Sequence, residues 1–327
     1  MVLAAGLGTR LRPLTYAVAK PMVPVLDRPV MAHTVDLLDR HGITDAIANL
    51  HHFPEPIKAY FGDRLEYRFE EELLGTAGGV RNCADFFGDE PFIVISGDAL
   101  TDMDLRAFYD RHVETGAVAT IAVKRVADTR EYGVVLHDDD GRITGFQEKP
   151  APEDALSDLG NCGIYAFSPN VFEYFPERPF ADWALDVFPK LLDEGSGFYI
   201  HDLGDQYWND VGSLSELKQA TFDALTGALH LDVPGEEIVE GLVVGNGTAL
   251  SSGALAEPPI WIGRDVHIGA DVRLQGPLVI GDNARIGDGA ALKESVVLPG
   301  TEIAPDTIVI GAILGNTDIP GSLRPRS

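Results

Sequence analysis

The sequence predicts an α/β fold: a doubly wound, mainly parallel sheet followed by a short parallel β-helix. Three observations carry that reading. Short apolar runs alternate with helix-period segments from Val2 to Leu225, the pattern of strand and helix layers. A glycine turn follows the first apolar run directly. From Ile262 a period of six sets in, and such a repeat stacks short strands into a coil around an aliphatic ladder. At 327 residues, 45% of them hydrophobic, the chain exceeds what one core usually holds. The boundaries expected are 1–225 for the first domain, 226–259 for a linker rich in Gly, Pro and small residues, and 260–327 for the repeat domain.

Val2-Leu3-Ala4-Ala5 reads as a buried parallel strand, so the loop from Gly6 opens at a strand's carboxyl end, where ligands of such sheets bind. Gly6 and Gly8 allow a sharp turn and bring backbone N–H groups close to an anion. Arg10, Arg12 and Lys20 add positive charge. A dinucleotide fingerprint wants glycine where Leu11 stands, and the Gly-Lys-Ser/Thr of a Walker loop is absent. A structural glycine turn with surface arginines is the remaining alternative.

Residues 30–41 carry apolar positions at helical spacing and stop at Gly42. A strand over 43–50, a helix over 56–61 and an edge strand over 65–72, with Tyr67 and Phe69 on one side, follow. Gly75-Thr76-Ala77-Gly78-Gly79 is small enough for a flat base to lie against the backbone, or is a tight turn into a helix over 80–87. Residues 91–95 form a buried strand closed by Ser96-Gly97-Asp98. Mg²⁺ takes hard oxygen ligands, one or two carboxylates completed by phosphate and water, and Asp98 suits it. Asp102 and Asp104 are rival ligands, or flank and cap the helix over 105–115.

A strand over 117–126 leads to a hairpin whose turn is marked by Asp140-Gly141; the hairpin delivers Phe146-Gln147-Glu148-Lys149-Pro150. An acidic loop over 151–159, a strand over 161–167, a helix over 183–192, a strand over 198–200 and a helix over 214–225 complete the layer. In the repeats, Ile262, Ile268, Leu274, Ile280, Ile286, Leu292 and Leu298 recur, with Val266, Val272, Leu278, Ala284, Ala290 and Val296 four places after. The phase blurs after Leu298, so an irregular last coil is expected. His267 is read as facing outward.

Gly6-Leu7-Gly8-Thr9-Arg10-Leu11-Arg12-Pro13-Leu14-Thr15 with Lys20-Pro21 resembles the signature of the sugar-1-phosphate nucleotidyltransferases, or nucleotide-sugar pyrophosphorylases. The resemblance continues in family order through Gly75 to Gly79, Ser96-Gly97-Asp98-Ala99, Phe146 to Pro150, Asn161-Cys162-Gly163-Ile164-Tyr165 and Trp208-Asn209-Asp210-Val211-Gly212. It implies a nucleoside triphosphate and a sugar 1-phosphate as partners and Mg²⁺ as cofactor. On that resemblance Arg10, Lys20 and Lys149 are catalytic. Leu3, Ala4, Ala5, Gly6, Gly8, Thr9, Gly75, Thr76, Ala77 and Gly97 bind nucleotide. Gly133, Glu148, Lys149, Asn161 and Gly163 bind the sugar phosphate, and Asp98 and Asp210 hold the metal. The family has a smaller or hydroxyl residue where Cys162 stands. The wording is most like the cyanobacterial-type UDP-glucose branch. Mannose-1-phosphate guanylyltransferases share most of it, and a thymidylyltransferase is a further alternative.

The repeats resemble the left-handed β-helix of acyltransferases and of this family's tails. No inserted loop breaks them and His267 is their sole histidine, so capping or oligomer contacts are expected rather than acyl transfer. A silent nucleotide-sugar sensor on the same fold would lack the arginine, lysines or carboxylates, and this chain has all five.

The formal net charge of −26 argues against nucleic acid or an anionic membrane as partner. Local cations and a bound Mg²⁺ must then reverse the field for anionic substrates. Cys83 and Cys162 lack metal-ligand spacing and are expected as buried free thiols. With no apolar run of membrane-spanning length and no secretory signal, the reading is a cytoplasmic protein, and the repeat domain suggests a homo-oligomer.

Overall fold

A computed structural model describes residues 1–231 and 233–315. Its contacts divide into two compact units, one of Met1–Gly6 and Thr34–Asp210, the other of Leu7–His33 and the chain from Val211 onward. In chain order the strands up to residue 210 are β1 (Val2–Leu3), β2 (Pro24–Val25), β3 (Arg28–Pro29), β4 (Ile47–Leu50), β5 (Glu66–Phe69) and β6 (Phe92–Ser96). They continue with β7 (Ala99–Thr101), β8 (Ala119–Arg125), β9 (Gly133–His137), β10 (Ile143–Glu148), β11 (Leu159–Phe167), β12 (Phe198–Asp202) and β13 (Trp208–Asp210).

In the first unit β1 lies between β4 and β6, parallel to both, with Leu3 opposite Asn49 and Ser96. β5 closes one edge, parallel to β4, which matches the edge strand expected over 65–72. On the other side β11 runs antiparallel to β6 and β8, and β12 is parallel to β8. The β9–β10 hairpin attaches to β11 at Gly160. Val2, Val94 and Ile95 are wholly buried, as apolar strands covered on both faces must be. The helix Leu105–Thr115 keeps its expected bounds, with Asp104 as N-cap and Gly116 in the left-handed region at its end. Strand β4 starts at Ile47, later than read, because the Ile43 N–H donates to the Leu38 carbonyl and belongs to the preceding helix end. The segment read as one helix over 183–192 begins as a π turn, Trp183–Val187, before the α-helix Phe188–Asp193.

In the second unit, parallel strands stack into coils with a ladder of Ile260, Ile262, Leu274, Leu278, Ile280 and Leu292 inside. The first coil opens within the stretch read as linker: Leu242–Val244 pairs with Ile260–Ile262 and Leu255–Glu257 with Arg273–Gln275. Among the described residues the coils beyond Leu298 keep stacking strand on strand, with the irregularity confined to a shortened corner. Ile262 stacks on Ile280, eighteen residues on, but Ile280 meets Val297 and Ile286 meets Ile303, seventeen on. One residue is missing between Lys293 and Val296, since these pair with Gln275 and Val279. The ladder therefore continues through Val297, Ile303 and Val309, one place ahead of the period that points to Leu298. His267 is exposed, as read. The expected end of the repeat domain, 316–327, lies outside the described residues. Among the described residues no helix is long and apolar enough to cross a membrane.

Candidate functional site

The carboxyl ends of β1, β4 and β6 meet in a buried polar network. The Ala4 N–H donates to Asn49 Oδ1 (2.9 Å), and Asn49 Nδ2 donates to Glu70 Oε1 (2.7 Å). Glu70 Oε2 accepts from the Leu74 N–H (3.1 Å), just before the Gly75 turn. The Gly97 N–H donates to the Leu3 carbonyl (2.8 Å). Leu3, Ala4 and Gly97 are thereby held at one sheet edge, and Glu70 is only 2% exposed there. A Cβ on Gly79 would stand 2.7 Å from both Asn49 Nδ2 and Glu70 Oε1, so this glycine makes room for the network. Asn49 and Glu70 were not legible in the sequence: they sit 21 positions apart in unremarkable contexts with no local signature.

Gly75, Thr76 and Ala77 open the helix Gly75–Arg81. Gly75 has φ +78°, and a Cβ there would lie 2.4 Å from the Ala181 carbonyl oxygen. That oxygen accepts from the Ala77 and Gly78 N–H groups (3.0 and 2.9 Å). Thr76 Oγ1 donates to Asp182 Oδ2 (2.9 Å). Ala77 is wholly buried, and its N–H holds the loop against Ala181.

Asp98 stands in the turn between β6 and β7. β13 pairs antiparallel with β7, and Asp210 is the direct partner of Ala99, so the backbone at Asp210 runs beside the residue that follows Asp98, 112 positions earlier in the sequence. Tyr207, Thr101 and Asp102 fasten the entry to β13. Asp102 Oδ1 accepts from the Tyr207 N–H (2.7 Å), and Thr101 Oγ1 donates to the Tyr207 carbonyl (2.5 Å). Lys124 donates to the Gly204 and Gln206 carbonyls (2.9 and 2.6 Å). The rival ligands therefore have other work. Asp102 aligns the strand that carries Asp210. Asp104 caps a helix, and the Ala107 and Arg106 N–H groups hold its carboxyl below its ordinary pKa.

The residues expected to face the sugar lie on β9, β10 and β11, with Lys149 directly after β10. Gly133 faces Glu148 in the β9–β10 register, and a Cβ on Gly133 would lie 2.3 Å from Phe146 Cζ and 3.1 Å from Glu148 Oε2. Lys149 follows with φ +47° and lies 3.4 Å from Glu148 Oε1 by its ammonium. On β11 the register with β8 slips between Asn161 and Tyr165. Asn161 stabilises this bulge, accepting from the Gly163 N–H (2.9 Å) and donating to the Tyr165 hydroxyl (3.0 Å). Burial pushes the Tyr165 phenol up. Gly163, at φ +69°, leaves space a Cβ would take 2.8 Å from Ser96 Oγ. Cys162 is buried, its thiol pushed up by desolvation, and its carbonyl accepts from Trp208 Nε1 (2.9 Å). Trp208 thus ties the bulge to β13, two residues before Asp210.

In the second unit the loop is compact. Gly8 has φ +61°, and a Cβ there would lie 2.9 Å from both Lys20 Cβ and Thr15 Cγ2. Thr15 Oγ1 donates to the Gly8 carbonyl (2.7 Å). Lys20 is half-buried with its stem over Gly8, whereas Thr9 and Arg10 are exposed. Glycine, two 3₁₀ turns and lysine thus form one folded cradle.

Among the described residues no group of three or more His, Cys, Asp or Glu could hold a metal ion. A pair of carboxylates at a strand junction is a hard-oxygen set that Mg²⁺ accepts, completed by substrate phosphates and water.

Residues 1–227 match the family described as Nucleotidyl transferase, and residues 259–294 match the bacterial transferase hexapeptide repeats. The chain belongs to the nucleotidyl transferase family. It is similar to a UTP–glucose-1-phosphate uridylyltransferase of Synechocystis, 40% identical over 284 residues, 80% of this chain and 73% of that one. It is also similar to a mannose-1-phosphate guanylyltransferase of Mycobacterium tuberculosis, 33% identical over 274 residues, 81% of this chain and 74% of that one. Among solved structures, a Bacillus anthracis protein described as a glucose-1-phosphate thymidylyltransferase, in complex with sucrose, gives a TM-score of 0.62 at 24% identity. That match covers 72% of this chain and 96% of that one, and it shows the fold.

Proposed function

We propose that this enzyme joins UTP to glucose 1-phosphate, giving UDP-glucose and pyrophosphate, with Mg²⁺ as cofactor. The observation that carries the reaction type is the β7–β13 register, which sets Asp210 opposite Ala99 and so beside Asp98. The likeness to the Synechocystis uridylyltransferase favours UTP and glucose 1-phosphate over GTP and mannose 1-phosphate.

In the reaction a phosphate oxygen of the sugar attacks the α-phosphorus in line. The bond from that phosphorus to the bridging oxygen breaks, and pyrophosphate leaves with its electron pair. The attacking phosphate is already ionised, so no general base is needed, and the protein's task is positioning and charge compensation. Asp98 and Asp210 would hold Mg²⁺, which when bound offsets phosphate charge. Arg10 and the Gly6, Gly8 and Thr9 backbone bind the departing phosphates, and Lys20 neutralises charge at the reacting ones. Leu3, Ala4, Ala5, Gly97 and the Gly75-Thr76-Ala77 turn seat the nucleoside. Lys149 seats the sugar phosphate and Glu148 reads sugar hydroxyls, with Gly133 leaving the room in which the Phe146 ring and the Glu148 carboxylate sit. Asn161 serves this side by shaping the bulge at Gly163.

Two buried free cysteines fit a reducing cytoplasm. Exposed Leu255, Ile308 and Ile310, on one stacked face of the repeats, favour a homo-oligomer. Pyrophosphate release, with UTP and GTP crossed against glucose 1-phosphate and mannose 1-phosphate, tests the assignment; release with neither sugar overturns it.

A further inference from the structure

The Gly75-Thr76-Ala77 turn owes its position to a distant segment, residues 175–183. Residues 175–182 make no helix or strand, and Pro176 and Pro179 carry no N–H, so the segment's carbonyls need partners from elsewhere. Arg81, on the helix that the turn opens, supplies them. Its Nη1 donates to the Pro176 carbonyl (2.5 Å), and its Nη2 donates to those of Arg178 (2.6 Å) and Pro179 (2.8 Å). The guanidinium also lies 5.4 Å from the Phe175 ring centroid. At the other end of the segment, Asp182 uses one oxygen to cap the following helix at Ala184 (2.9 Å) and Leu185 (3.3 Å), and the other to accept from Thr76 Oγ1 (2.9 Å). Between these anchors Ala181 donates its N–H to the Leu74 carbonyl and receives the Ala77 and Gly78 N–H groups.

We infer that Arg81 and Asp182 are positioning residues for nucleoside triphosphate binding: together they clamp residues 175–183 onto the Gly75 to Ala77 turn and fix its shape. This rests on the reading of that turn as the nucleoside seat. A planar fork that serves three carbonyls cannot be replaced by an ammonium at the end of a flexible chain. Loss of a hydrogen bond to a charged donor is worth about tenfold in an equilibrium constant. The sugar-side residues Gly133, Glu148 and Lys149 lie on the β9–β10 hairpin and its end. None of the clamp's hydrogen bonds reaches them.

The test compares Arg81→Lys, Asp182→Ser and Asp182→Asn with the wild-type enzyme, using whichever substrate pair the wild type converts. Melting temperature is measured alongside. Arg81→Lys is expected to raise KM for the triphosphate about tenfold, with kcat and KM for the sugar 1-phosphate within about twofold. Asp182→Ser keeps the helix cap but cannot reach Thr76, and it should show the same split. Asp182→Asn retains an oxygen for the cap and an amide for the threonine hydroxyl, and it should restore most of the loss. A folded Arg81→Lys with wild-type KM for the triphosphate, or with both KM values raised alike, overturns the clamp. If Arg81→Lys does not fold, the two Asp182 variants decide by the same split. If the wild type converts no pair, the proposed function fails on its own account, and calorimetric binding of UTP to the same variants decides the clamp.

Discussion

Adding one methyl group at Gly133 tests the sugar side of the site with few confounding changes. In Gly133→Ala the new Cβ would stand 2.9 Å from Phe146 Cε1 and 2.3 Å from Cζ, the latter more than 1 Å inside the ~3.5 Å at which carbons rest in contact. The ring cannot retreat freely, because its centroid lies 5.6 Å from that of Phe188, which is wholly buried. Overpacking of this kind costs about 1–3 kcal/mol, and each kcal/mol lowers the melting temperature by about 2–4 °C in a domain of this size. The same Cβ sits 3.1 Å from Glu148 Oε2, so the carboxylate is displaced too. A misplacement on the order of 1 Å in a positioning group costs about 10²-fold. Initial rates over a range of glucose 1-phosphate should show kcat/KM reduced by roughly that factor. Gly145→Ala is the matched control: it lies on β10, the paired strand of the same hairpin, and its Cβ would meet only Leu136, nearest at Cδ1 at an ordinary 3.5 Å. A Gly133→Ala enzyme with wild-type kcat/KM for the sugar phosphate and wild-type melting temperature would refute the reasoning.

Asp210→Asn should lower turnover on the order of 10²-fold and shift the Mg²⁺ titration to higher concentration; an unchanged titration removes Asp210 from the metal. Arg10→Ala and Lys20→Ala should each cost on the order of 10² to 10³ in rate, the scale for a preorganised electrostatic group, and near-normal turnover in either counts against its role. His112 is wholly buried, with Nδ1 2.8 Å from Thr120 Oγ1 and Nε2 3.1 Å from Ser168 Oγ. Burial lowers it from 6.5 to about 4. Between those values the unfolded chain binds the proton and the folded chain does not, so this stability is complete above pH ~6.5 and lost as pH falls toward ~4, up to about 3 kcal/mol. Urea melts across that window should show the slope in the wild type and a flatter one in His112→Gln; parallel slopes would exclude His112.

Runs with a local physical cause were legible in the sequence. Val2 and Phe92 to Ile95 are continuous apolar strands, the helix Leu105–Thr115 has an Asp cap and a Gly stop, and the six-residue period needs only its aliphatic ladder. Long-range pairings were not legible from local pattern. The proximity of Asp98 and Asp210 depends on the antiparallel register of two three-residue strands, and it was reached only through family wording. The Asn49–Glu70 network has no local signature, because a buried carboxylate looks like any surface glutamate until its partners are in place. Asp102 reads as a metal ligand by type, but its hydrogen bond to Tyr207 makes it a support for β13. In the coils, one residue lost between Lys293 and Val296 shifts every later inward position by one. A fixed period cannot follow that, whereas the stacked strands absorb it at a corner.

Product formation tests the central claim most directly: purified enzyme with Mg²⁺, UTP and glucose 1-phosphate, with nucleotide sugar and pyrophosphate both quantified. The account predicts UDP-glucose and pyrophosphate in equal amounts, faster than GDP-mannose from GTP and mannose 1-phosphate. No nucleotide sugar from either pair, in folded enzyme, would contradict it.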